Sequence, residues 1–348
     1  MPPPVALLTP FAFPSVRGNA ITVARIAQGM RARGVDVRVW DLAVAPEGAV
    51  AAEMAEHAPA LIHAFHAYRA GPLALRLARA AAIPLLVTIT GTDANQDLFD
   101  PDRTEIVRRV LEGAALITVF DESIALRIAS ALPDLVTPIA VVPQSVAFPP
   151  PAADGGAPAG PAGPGPVVLF PAGIRGVKNP RLPLAALDAV APRHAGLELL
   201  YVGPILDRDE GEALLSGIAA RPWARYLGAV PHARMRGLFE ASDLVLNCSA
   251  SEGGMPNAVL EALALGRAVL ASNIEGNRSL VEDGVTGLLF DTPEALAAQA
   301  DRLLGDPELR RRLGEAGRAR VTTRFGPGRE LDGYLTVYAQ LTPALRGA

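Results

Sequence analysis

The chain has 348 residues, half of them hydrophobic and a fifth charged, with a formal net charge of −4 at pH 7. That length exceeds one ordinary core and, at roughly 150 residues per domain, implies two domains, while the slight acidity gives no reason to expect nucleic acid as a partner. Apolar runs such as 80–89 are broken by proline and fall short of the ~20 residues that span a bilayer, so no stable membrane insertion is expected. The start, MPPPVALLTPFAF, lacks the basic residues and small-residue cleavage site of a secretory signal, and the lone Cys248 has no partner for an internal disulfide. Together these lead us to expect a cytoplasmic protein.

The first half alternates short β-rich apolar runs with helical stretches, the pattern of βαβ units and a parallel sheet. Strands are expected at 5–9, 37–42, 61–65, 85–89, 116–120 and 139–142. Between the first two, Val23, Ile26, Ala27 and Met30 recur at helical spacing, and Gly34 is placed to end the helix. Arg25, Arg31 and Arg33 read as a solvated face of that helix, with contact to a lipid surface as the alternative. Before the helix, PSVRGNAIT sets Gly18 and Asn19 where a ligand would meet a helix N-terminus, although Asn19 equally suits simple capping. HAFHAYRAG (63–71) and TITGTDAN (88–95) follow strands and bring His66 and Asp93 toward the same crevice; core hydrogen bonding or turn capping is the other role open to each.

From 149 to 166 the sequence reads PPPAADGGAPAGPAGPGP, a linker composition. The alternation then restarts, with strands at 167–172, 197–202, 244–247, 268–271 and 288–290, and helical segments from Pro293 to the end, including the arginine-rich stretch 308–324, read as a solvated face. The expected organisation is a first domain over 1–148, the linker 149–166, a second domain over 167–325 and a helical tail over 326–348 that packs back on the first domain.

SEGGMPNAVLEA (251–262) carries most information. A strand runs into a small glycine-containing loop, with Pro256 suited to the first turn of a helix. Unpaired N–H groups there favour a diphosphate, and Gly253 and Gly254 let the backbone approach it. Glu252 and Glu261 flank this loop, better suited to accept hydroxyls of a sugar or ribose than to meet phosphate. Glycine turns followed by an ordinary first-turn acid at Glu261 would explain the same residues. GIRGVKNP (173–180) adds Arg175 and Lys178, two cations able to neutralise one diphosphate; two unrelated solvent-facing cations are the alternative.

At this point the chain resembles the retaining glycosyltransferases of family 4. The resemblance rests on the acidic pair of SEGGMPNAVLEA and the Arg and Lys of GIRGVKNP, and RGNAIT, HAYRAG, GTDAN, GIRGVKNP, YVGPILD, NCSASEGG and NIEGN occur in the order of one subgroup. It implies an α/β chain of GT-B fold, two Rossmann-like domains with parallel sheets facing a cleft, the first on the acceptor side and the second holding a nucleotide-sugar. Glu252 would lie near the donor sugar and Glu261 on the ribose, with Arg175 and Lys178 on the diphosphate. Gly18, Asn19, Gly253, Gly254, Met255, Pro256 and Asn257 would line the donor. A UDP-linked donor, an acceptor not named by the sequence and no metal or other cofactor follow from the same likeness. The chain departs twice: eight residues, not seven, separate Glu252 from Glu261, and Thr90 stands where many members have histidine, so that His66 or Asp93 would compensate. A second resemblance, to selenosugar synthases, implies selenophosphate as acceptor; a nucleotide-sugar-binding protein that has lost transfer is the non-enzymatic alternative.

Other chemistries lack their residues. Asp207-Arg208-Asp209 matches a DxD metal motif but is placed to cap a helix. No G-x-G-x-x-G follows the first strand, and neither a Walker loop nor a G-x-S-x-G elbow is present.

Overall fold

The computed structural model describes residues 4–15, 17–148 and 160–345, and most of the expected linker, 149–159, lies outside them. The chain divides into two compact units, one comprising the residues up to Ser145 with those from Pro327 onward, the other Val146–Gly326. Among the described residues each unit holds one six-stranded sheet, parallel at every pairing.

In the first unit the strands are β1 (Val5–Thr9), β2 (Val37–Asp41), β3 (Leu61–Phe65), β4 (Leu85–Thr88), β5 (Leu116–Val119) and β6 (Ile139–Val141), in the order β2-β1-β3-β4-β5-β6. Strands covered on both faces bury every side chain, which is why β1 and β3 are apolar at every position but Thr9 and His63. The period of two then sorts them: Ala6, Leu8, Ile62 and Ala64 face one core, and Val5, Leu7, Leu61 and Phe65 the other. That second core is closed by Val23, Ile26, Ala27 and Met30 of the helix Gly18–Ala32 and by Tyr334, Val337 and Tyr338 of the helix Pro327–Leu341.

The second unit has β7 (Val167–Pro171), β8 (Glu198–Val202), β9 (Ala224–Tyr226), β10 (Leu244–Asn247), β11 (Ala268–Ser272) and β12 (Leu288–Phe290), in the order β12-β11-β10-β7-β8-β9. The sequence pattern does not predict β9: it is three residues at a sheet edge, two of them only half-buried, and offers no apolar run.

In a doubly wound sheet ligands meet the carboxyl ends of the strands where the winding reverses. Those points fall between β1 and β3 in one unit and between β7 and β10 in the other. PSVRGNAIT and HAYRAG leave the first pair of strands; GIRGVKNP and NCSASEGG leave the second.

Several expectations are corrected. Arg25 is no solvated or lipid-facing arginine: its guanidinium grips Glu330 of the C-terminal helix through two hydrogen bonds of 2.8 Å, with side chains 9% and 0% exposed. Residues 160–166 are anchored rather than free, because Ala162 and Gly163 donate N–H groups to Glu198 and Gly165 abuts Gly196. The helix Pro307–Arg324 does expose Arg311 between Glu308 and Glu315, but Arg310 reaches back to Asp243 while Leu309, Leu313 and Val321 are buried. Asp207 caps the helix Arg208–Ala219, accepting from the N–H groups of Asp209 and Glu210.

Candidate functional site

In the second unit, the loops after β7 and β10 are bonded to each other. After β7 the chain passes through an extended Arg175 into a single 3-10 turn, Gly176–Lys178, closed by Asn179 at φ 47°. Asn179 donates its amide to the Cys248 carbonyl at 3.1 Å, and the Ala250 N–H donates to the Val177 carbonyl at 2.8 Å. This sets Lys178 against Glu252, with Nζ 2.5 Å from Oε1. The same oxygen accepts from Ser249 Oγ at 2.6 Å and Asn247 Nδ2 at 3.1 Å. Burial pushes the Glu252 carboxyl up, but the Lys178 charge and the hydrogen bonds from Lys178, Ser249 and Asn247 outweigh it and hold the group below the usual carboxylate range. The two cations of GIRGVKNP therefore differ: Lys178 is already paired, whereas Arg175 is exposed with no ion pair among the described residues.

Behind Glu252 the chain leaves no spare room. Gly254 adopts φ 136°, and a Cβ on Gly276 would come within 2.4 Å of the Gly254 carbonyl oxygen and 2.6 Å of Glu252 Cβ. Asn277, fully buried, donates to the Ser272 carbonyl at 2.8 Å, and Ser272 Oγ donates to the Ser249 carbonyl at 2.6 Å. The NIEGN segment is thus the back wall of the acidic loop.

Met255 is buried, and Pro256 is the extended residue before the helix Asn257–Ala264 rather than part of its first turn. Glu261 is the fifth residue of that helix, so the alternative of an ordinary first-turn acid favoured by the dipole fails. Its position comes instead from His232, whose Nε2 lies 2.7 Å from Glu261 Oε1 and whose ring stacks on Phe148. Cys248 sits buried between these loops, and burial pushes its thiol far up, so it is no nucleophile.

In the first unit, Asn19 is the second residue of its helix and Arg17 occupies the capping position, so Asn19 does not cap. It donates instead to Thr9 Oγ1 at 2.9 Å, tying the helix start to the end of β1. Gly18 is exposed. Asp93 is buried and accepts N–H groups from Ala67, Thr90 and Gly91, joining the loops after β3 and β4. His66, at φ 89°, has Nε2 2.8 Å from Thr92 Oγ1 and takes the Arg69 N–H on Nδ1. His63, the other histidine of that segment, is a core residue between Tyr338 and Thr88, lowered to about 3 by burial and so neutral.

Sequence reasoning missed His232, Phe148 and the Ser249–Ser272 bridge. Nothing local marks them, since their partners lie far along the chain; only the small polar residues of NCSAS hint at a hydrogen-bonded loop. Among the described residues no cluster of three His, Cys, Asp or Glu side chains is arranged to hold a metal ion, and no helix is long and apolar enough to cross a membrane.

Comparison with known proteins bears on the whole chain. It is 27% identical over 341 residues to glycosyltransferase 1 domain-containing protein 1 of Xenopus tropicalis, covering 93% of this chain and 94% of that protein. It is 35% identical over 196 residues to a D-inositol 3-phosphate glycosyltransferase of Segniliparus rotundus, where the match spans 52% of this chain but only 40% of the relative. Sucrose-phosphate synthase from Thermosynechococcus elongatus superposes with a TM-score of 0.83 at 20% identity, over 98% of this chain and 100% of that one. Anabaena Alr3699/HepE in complex with UDP-glucose follows at 0.78 and 17%, over 97% and 100%. At such identities the structures speak for the fold alone, and that fold is GT-B. Residues 158–320 match the family described as Glycosyl transferases group 1, and they lie within a chain of GT-B fold.

Proposed function

We propose that the protein is a retaining glycosyltransferase that moves a sugar from a nucleotide-sugar, UDP-linked, to an acceptor without a metal. The observation that carries this reading is the pair Lys178–Glu252 at the β7/β10 reversal, with the exposed Arg175 beside it in the same loop. Structural neighbours crystallised with UDP and UDP-glucose support the choice of donor.

In this mechanism the diphosphate lies over Arg175, Lys178 and the backbone of Gly253, Gly254 and Met255, near the start of the helix that Pro256 and Asn257 open. Glu261, held by His232, accepts a ribose hydroxyl, and Glu252 accepts a hydroxyl of the donor sugar. Gly18 and Asn19 supply the first unit's approach to the donor, and Asp93 and Thr92 fix His66 for the sugar or acceptor. The bond from anomeric carbon to phosphate oxygen breaks as the acceptor oxygen bonds on the same face. The acceptor proton passes to the departing phosphate, and Arg175 and Lys178 neutralise the charge that grows there, as a metal would elsewhere. Glu252, with three donors on one oxygen, is suited to orient rather than attack.

Arg175→Ala is expected to lower turnover about ten- to hundredfold, the worth of one charge-assisted contact, and to leave Tm unchanged because the side chain is exposed. Equal loss of stability and turnover sinks the assignment, and so does the absence of any thermal stabilisation by nucleoside diphosphates or their sugars. Turnover that collapses on chelation ends the metal-free part of the reading. Product formation that requires selenophosphate moves the acceptor to a selenium species, and donor binding with neither hydrolysis nor transfer marks a non-catalytic binder.

A further inference from the structure

We infer that the second unit carries an effector site for a small anion with an apolar body, in the cavity lined by Phe148, Arg236 and Arg318, and that its occupant tightens nucleotide binding through His232 and Glu261; the coupling to nucleotide rests on the donor reading above. The cavity measures about 410 Å³, a size that suits a small molecule, and its walls all belong to the unit Val146–Gly326. Val146, Phe148, Ala264 and Leu265 supply apolar surface, and Arg236, Arg267 and Arg318 stand against a single carboxylate, Glu240. Arg236 and Glu240 come from the helix His232–Glu240 and Arg318 from the helix Pro307–Arg324, so the wall is assembled from segments distant in the chain.

Glu240 is already taken by Arg236, whose Nε lies 2.8 Å from its Oε1. Arg267 donates to the carbonyls of Leu265 and Glu240, each at 3.2 Å, and so covers the C-terminal ends of two helices that would otherwise repel an anion. Those carbonyls use its N–H groups without cancelling its charge, and Arg318 is exposed with no ion pair among the described residues. Excess positive charge beside apolar surface selects a carboxylate, sulfonate or phosphate joined to an apolar group. Phe148 links this cavity to the acidic loop. Its half-buried ring lies 5.9 Å from the Arg236 guanidinium and stacks on His232, with centroids 6.3 Å and planes 24° apart, and His232 Nε2 is 2.7 Å from Glu261 Oε1. The helix Asn257–Ala264 carries Glu261 and, one turn on, the wall residue Ala264. An occupant that covers the ring therefore holds the stack, and with it the carboxylate meant for the ribose, in one arrangement, and linkage makes that effect reciprocal.

The test is fluorescence titration of the full chain with anilinonaphthalene sulfonate, an aromatic body bearing one sulfonate, with and without saturating UDP. Saturable binding is expected, with Kd raised about tenfold by Arg318→Gln, the worth of one charge-assisted contact, and with the uncharged phenylnaphthylamine failing to compete. Probe and UDP should tighten each other about fivefold, by the same factor in both directions, while Arg318→Gln leaves the Kd for UDP alone unchanged. Phe148→Leu keeps an apolar wall but removes the stack, so the probe should still bind and the mutual tightening should disappear. Displacement of the probe by UDP overturns the site by making it part of the donor's, and so does probe affinity indifferent to Arg318→Gln at unchanged Tm. A UDP affinity that ignores the bound probe, or tightening that survives Phe148→Leu, overturns the coupling. If UDP itself fails to bind while Arg318-dependent probe binding persists, the donor reading falls and the anion site stands.

Discussion

Lys178 is the main reason Glu252 stays charged in a place with little water. Lys178→Met leaves a carboxylate about as buried as before with its cation gone, and should cost about 3 kcal/mol in urea unfolding at pH 7. The pH dependence has a definite sign. Because the folded carboxyl lies below its ordinary value, the unfolded chain binds more protons in that interval; the pair's stabilisation is present above the ordinary carboxylate value of 4.5 and is lost as pH falls through the lowered one. Denaturation profiles of the two proteins should therefore converge in acid, and a constant offset across pH would count against the pairing. Residue identity made Arg175, Lys178 and both glutamates legible as candidates. It could not distinguish a paired cation from an exposed one, because pairing depends on how two loops 74 residues apart in sequence are bonded together.

At the scale of elements, the acidic loop is shaped from behind. Gly276→Ala would drive a Cβ into the Gly254 carbonyl and into Glu252, and neither backbone nor Cβ can swing away. It should destabilise the second unit by about 1–3 kcal/mol and weaken donor binding together, read by unfolding and by nucleotide titration. Nucleotide affinity unchanged in a destabilised variant would separate the wall from the site. Strand positions were read from the sequence wherever a strand is buried on both faces: β1, β3 and β10 run over the same residues as expected, as does the apolar edge strand β12. The edge strand β9 and the start of the helix after Pro256 were not, since an edge needs no apolar run and proline is at home on either side of a helix boundary. Asp207-Arg208-Asp209 shows the converse: the cap was legible because its partners are two and three residues away.

For the molecule as a whole, the C-terminal helix is a working part of the first unit. Glu330→Ala would take the carboxylate from the buried Arg25 guanidinium and a partner from Ser145, and should cost about 3–5 kcal/mol. Chemical unfolding should show the first unit's transition moving to lower denaturant with the second unit's transition in place; a single unshifted transition would refute it. Two parallel α/β sheets, the order of the motifs along them and the residue types for binding a diphosphate are all written in local pattern, because period, punctuation and loop composition act over a few residues. Sheet order is not local. It is the reversal of winding at β1/β3 and β7/β10 that brings Phe11 to Arg69 and Lys178 to Glu252, and distant pairings such as Arg25 with Glu330 and His232 with Glu261 exist only once the layers have packed. Charges and hydrogen-bond donors a chain must bury are matched through space, and that matching leaves no mark at either position alone.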